Sequence, residues 1–134
     1  MADATYLRDE CDYRLVAAAA VASGEVWQMP NGRAAVKTGL NAAAANDTVN
    51  FTDEGHHTMT KTSGFVALAG MPAFWDHSAN AVSYKAVNDR DFFIGTFTED
   101  AASADTTCVV NLNVLPRWTV DGLRDGALSV ATGT

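Results

Sequence analysis

Apolar and polar residues alternate over short stretches along most of this chain, and no stretch sustains the 3.6-residue period of a helix. Thr48–Asp53 sets Val49 and Phe51 against Thr48, Asn50 and Thr52, the two-residue period of a half-buried strand. Glu25–Met29 is a strand with Val26 and Trp27 on opposite faces, and Arg33–Thr38 puts Ala34 and Val36 on one face and Arg33, Ala35 and Lys37 on the other. Pro30-Asn31-Gly32 lies between them. Asn and Gly accept the positive φ of a tight turn and Pro cannot continue the ladder, so these two strands form a hairpin.

Tyr13–Ala20 alternates enough to predict a strand ahead of that hairpin. Gly39–Asn46 holds four consecutive alanines bracketed by Gly and Asn, too short for a stable helix, and is read as a loop with one helical turn. Asp53-Glu54-Gly55 turns the chain. His56–Thr62 then sets His57, Met59 and Lys61 against His56, Thr58, Thr60 and Thr62, a Thr-rich ribbon expected to face solvent.

From Gly64 to Asn113 the runs Phe65–Ala69, Ala73–Trp75, Ala81–Tyr84, Phe92–Thr98 and Thr106–Leu112 alternate with turn residues. Phe92, Phe93, Ile94, Phe97, Val109 and Val110 suit a pleated, half-buried surface. Nine or ten short strands with almost no helix predict an all-β, single-domain small β-barrel or sandwich. Its expected division is an N-terminal arm over 1–12, a β domain over 13–113 and a C-terminal extension over 114–134, where Pro116, Asp121-Gly122 and Asp125-Gly126 break the strand pattern.

Composition narrows the class. The 134 residues carry a formal net charge of −7, which argues against nucleic acid as a partner because phosphate binding needs clustered Lys and Arg. Val16–Ala22 is far too short to span a membrane, so no membrane association is expected. Met1–Thr5 is polar and acidic, without the basic and apolar regions of a secretory signal. Cys11 and Cys108 are too few for a disulfide framework and are expected to be free thiols, a bridge requiring that their strands meet.

The search for catalytic chemistry is mostly negative. His56 and His57 are adjacent and on a strand point to opposite faces, and His77 sits in a distant turn, so no metal site is expected. Lys37-Thr38-Gly39 matches one box of the serine β-lactamases, yet no Ser is followed three residues later by Lys. Asp53-Glu54, Asp89 with Asp91, and Glu99-Asp100 fall in turns or at strand ends, where solvated carboxylates belong. The chain reads as a non-enzyme without cofactor. Phe74-Trp75 and Phe92-Phe93 are adjacent pairs, so one member of each must face away from the local core and be covered by the second sheet or by a neighbouring subunit.

One order of motifs is distinctive. A strand ends in Gly70, followed by Met71-Pro72-Ala73-Phe74-Trp75-Asp76, a turn, and Ala81-Val82-Ser83-Tyr84. Ile94-Gly95-Thr96-Phe97, then Glu99 to Asp105, then Cys108-Val109-Val110-Asn111-Leu112 complete it. Over roughly residues 13 to 113 this resembles the small tailed-phage capsid cement, or head decoration, proteins. The resemblance implies a virion structural protein, made in the host cytoplasm, that attaches to the outer capsid surface as a homotrimer and bridges major capsid protein subunits. By the same similarity the arm would contact the shell, with Tyr6, Leu7 and Tyr13 as anchors; Trp118, in the extension that lies outside the resemblance, is expected as a further contact. The alternative class is a small β carbohydrate- or ligand-binding module in which Trp27, Trp75 or Trp118 stacks on a sugar ring.

Overall fold

The computed structural model describes residues 12–116, and every regular element among them is a strand. In chain order these are β1 (Asp12–Val16), β2 (Val26–Gln28), β3 (Ala34–Lys37), β4 (Thr48–Thr52), β5 (His56–Thr60), β6 (Pro72–Asp76), β7 (Ala81–Ser83), β8 (Phe92–Phe97) and β9 (Thr107–Leu112). They form a four-stranded sheet in the order β1-β4-β3-β2 and a five-stranded sheet in the order β5-β9-β8-β6-β7, with every ladder antiparallel. The second sheet curls until the chain just past β5 meets β7 through a single parallel bridge, Lys61 to Val82. No ladder closes it, so the architecture is a small sandwich and not a barrel.

The main core lies between the sheets, where Ala34 and Val36 of β3 meet Ala73, Trp75, Val82, Ile94, Phe97, Val110 and Leu112. β3 is buried on both faces. Its Ala35 turns to a second cluster, with Val49 and Phe51 of β4 and with Ala17, Val21 and Met29 from the flanking segments. Phe51 and Phe97 are fully buried, and each such side chain contributes about 1.5–3 kcal/mol relative to exposure.

The two sheets repeat one plan. In the first half Val21 and Ala43 exchange two backbone hydrogen bonds, Gly24 N donates to Lys37 O, Lys37 N to Glu25 O, and Thr38 N to Asn50 O. In the second half Ala67 and Ala101 exchange two, Gly70 N donates to Phe97 O, Phe97 N to Met71 O, and Thr98 N to Val109 O. Gly24 and Gly70 both hold positive φ, at 75° and 92°, a conformation that costs glycine little. The turns before β4 and β9 also match: Asp47 and Asp105 each accept through Oδ2 from the backbone N–H three residues earlier, that of Ala44 and of Ala102. Strands β1-β2-β3-β4 thus correspond to β5-β6-β8-β9. The element that breaks the repeat is the link between its second and third strands. A tight turn, with Gly32 N bonded to Met29 O, joins β2 to β3, whereas residues 77–91, including β7, separate β6 from β8.

Several expectations are corrected at the level of single elements. The first strand ends at Val16, because Ala17 N leaves the ladder to donate to Asp47 O and the chain bends into the loop that covers the first sheet. Phe65–Ala69 is no strand and contributes one isolated bridge, Ala67 to Ala101. The alanines of 42–45 form turns and a bridge without a helical turn. The His56–Thr62 ribbon faces solvent on one side only, since Met59 and Lys61 are 7% and 3% exposed. The Lys61 ammonium lies 4.2 Å from the Phe65 ring centroid and donates to the carbonyls of Thr62, Ser103 and Asp105 at 3.0, 3.5 and 3.4 Å. Carbonyl dipoles and a ring face replace its lost hydration.

Candidate interaction surface

Of the residues expected to contact a shell, Tyr6, Leu7 and Trp118 lie outside the described residues, as does Cys11. Tyr13 sits in β1 with its backbone opposite Phe51 of β4. β1 is an edge strand of the first sheet. Cys108 is a free, buried thiol of β9, and burial pushes its pKa up to about 11, far from a reactive thiolate. Among the described residues no three His, Cys, Asp or Glu side chains cluster as a metal site.

The adjacent aromatic pairs divide as the alternation requires. Trp75 enters the main core and Phe92 packs against it. Phe74 and Phe93 point to the other face of the second sheet and meet edge to face, with ring centroids 5.8 Å apart. They cover each other and remain half-buried, an aromatic pair on the outer face of β6 and β8.

The two described tryptophans are not free platforms. Trp75 is 8% exposed. Trp27 packs against Phe51 with ring centroids 5.6 Å apart and planes tilted by 39°, and its indole N–H donates to Glu25 Oε1 at 3.1 Å. Both nevertheless line a cleft of about 540 Å³ between β2 and the 77–91 segment, together with Phe92. Its rim carries Glu25, His77, Asn80, Asp89 and Arg90. Two carboxylates hold that rim. Asp76 Oδ1 accepts from Ser78 N, Ser78 Oγ and Ala79 N, and Asp91 accepts from His77 N through Oδ1 and from Val87 N and Asn88 N through Oδ2. The donors from Asn88, Val87 and His77 lower the Asp91 pKa, because they stabilise the ionised form. Sequence reasoning placed Asp89 and Asp91 in a solvated turn, and missed that Asp91 organises it.

Comparison with known proteins fits this all-β sandwich of two related sheets. The model of the phage cement protein family matches residues 8–112, which takes in all nine strands. The chain belongs to that family, a family of phage structural proteins, which associates it with the capsid of a virion. No curated protein and no solved structure matches it significantly.

Proposed function

We propose that this protein cements a phage head: it binds the outer surface of the assembled shell and bridges neighbouring major capsid protein subunits. The observation that carries this reading is the family match across residues 8–112, which covers both sheets and not one motif. The working unit is a homotrimer whose domain comprises residues 13–113. In this reading Tyr6 and Leu7 of the arm over 1–12, Tyr13, and Trp118 of the extension over 114–134 are the residues that contact the shell. The Phe74–Phe93 pair is a further candidate for burial between subunits, since aromatic side chains are enriched in interface cores.

The physical logic is multivalency. One arm on one subunit binds weakly, but a trimer holding several subunits converts later contacts into intramolecular ones. Because it binds only the assembled shell, it stabilises that state by mass action.

The decisive experiment is cryo-electron microscopy of heads purified with and without the protein. Regular external density that disappears with the protein, with copy number at each site, is the expected result. Heads without such density, from virions in which mass spectrometry finds no trace of the chain, would overturn the proposal.

A further inference from the structure

The 77–91 segment has no counterpart in the first half of the repeat, yet it is tightly built. Asp76 and Asp91 brace its two ends through six hydrogen bonds, five of them from backbone N–H groups. A short turn suffices to join the corresponding strands β2 and β3, whereas this insertion adds β7, whose Val82 enters the main core. Outside β7 it forms one wall of the cleft that opens against β2.

We propose that this cleft is a binding site for a neutral, hydroxyl-rich glycan. A sugar ring offers an apolar face of C–H groups and a rim of hydroxyls, each both donor and acceptor. The cleft has the matching chemistry: half-buried Trp27 and Phe92 provide aromatic surface, with the small part of Trp75 that reaches solvent, while Asn80, Asp89 and Arg90 provide amide, carboxylate and guanidinium groups. Among the described residues these three polar side chains make no hydrogen bond, so they meet a ligand without first losing a protein partner. Glu25 is already fixed, accepting from Trp27 Nε1 and from Ala22 N. Glu25 and the braced backbone of 77–91 are therefore fixed in advance, while the side chains of Asn80, Asp89 and Arg90 are ordered on binding.

Shape and charge narrow the ligand. A second hollow of about 360 Å³ shares Glu25, Val26, Trp75 and Asn80 with the cleft and continues it past Thr58 and Thr60, giving room for more than one ring. The cleft lining holds the two carboxylates Glu25 and Asp89 against the one guanidinium Arg90, in a chain of net charge −7, which disfavours phosphorylated or sulfated ligands. An added peptide strand is also disfavoured. Lys37 N donates to Glu25 O and Met29 N to Arg33 O, so along three-residue β2 only Val26 and Gln28 turn backbone groups outward before Pro30.

The test uses the full chain and ¹⁵N-edited NMR, titrated with neutral oligosaccharides built from glucose, galactose, mannose and N-acetylglucosamine. At least one should shift the amides of residues 77–92 and of Glu25–Gln28. An Asn80→Gly, Asp89→Ala double variant removes two exposed side chains, glycine accepting the φ of 49° at position 80, and should weaken that binding about tenfold or more, while circular dichroism and attachment to heads stay unchanged. Failure of the whole panel to bind, binding that ignores the double variant, or shifts caused by an alternating apolar peptide in place of the glycans would each overturn the proposal. Head attachment is read separately, so the cement function stands or falls independently.

Discussion

The side chain of Asn113 stands beside Ala34 as a strand residue would. Its Oδ1 accepts from Ala34 N at 2.9 Å and its Nδ2 donates to Ala34 O at 2.8 Å. The same Nδ2 also donates to Asp53 O at 2.6 Å, so one amide at the end of β9 ties the second sheet to β3 and to the end of β4. Asn113 holds φ at 59°, a conformation asparagine tolerates better than other side chains apart from glycine.

Asn113→Ala should therefore destabilise the domain by about 2–4 kcal/mol, combining backbone groups left without partners and a strained φ. Asn113→Gly relieves the φ but not the lost bonds, and should remain nearly as unstable. Urea titration followed by tryptophan emission checks both; a glycine variant of wild-type stability would show that backbone conformation alone is at stake.

Gly95 sits where β8 bulges against β6, with Ala73 opposite Gly95 but Phe74 opposite Phe93. Its φ is +148°, and a Cβ there would overlap the carbonyl of Asn111 on β9. Gly95→Ala should cost more than about 3 kcal/mol, since the obstacle is backbone and cannot swing aside. Soluble expression and the thermal midpoint measure it, with Ala35→Gly unsuitable as a control because it removes a core methyl group.

Cys108 is raised on folding to about 11 by desolvation, partly opposed by Lys61. Its neutral thiol favours the fold fully below the unfolded value of about 8.5, and that stability is lost as pH rises toward the folded value. In a Cys11→Ser background the native protein at pH 8 should resist iodoacetamide and react readily in urea. Cys108→Ala should flatten the loss of stability above neutral pH.

Asp91 behaves in the opposite sense. Its folded pKa is depressed, so its contribution is present above the unfolded value of about 3.9 and disappears as pH falls through the folded one. Acid titration should loosen residues 77–91, seen as faster amide exchange at Val87 and Asn88. Asp91→Asn should show that faster exchange already at pH 7, with the two sheets intact.

Much of the fold was legible because its causes are local. The alternation at Val49 and Phe51, the Pro30-Asn31-Gly32 turn and the opposed faces of Ala34 and Ala35 depend on neighbours two or three residues away. The candidate cleft was not, because Glu25 and Trp27 meet His77, Asp89 and Arg90 only through pairing across the whole chain. The fate of Lys61 was equally hidden, as its three carbonyl partners include Ser103 and Asp105, some forty residues on.

The sequence by itself determined the all-β class, the strand faces and the kinship with phage cement proteins, since alternation, turn chemistry and motif order are written residue by residue. Tertiary structure alone decided that two sheets follow one plan. Gly24 matches Gly70 and Asp47 matches Asp105, but Val26 corresponds to Pro72 and Trp27 to Ala73. The shared feature is a network of backbone hydrogen bonds, which many side chains satisfy equally well and no residue pattern need record.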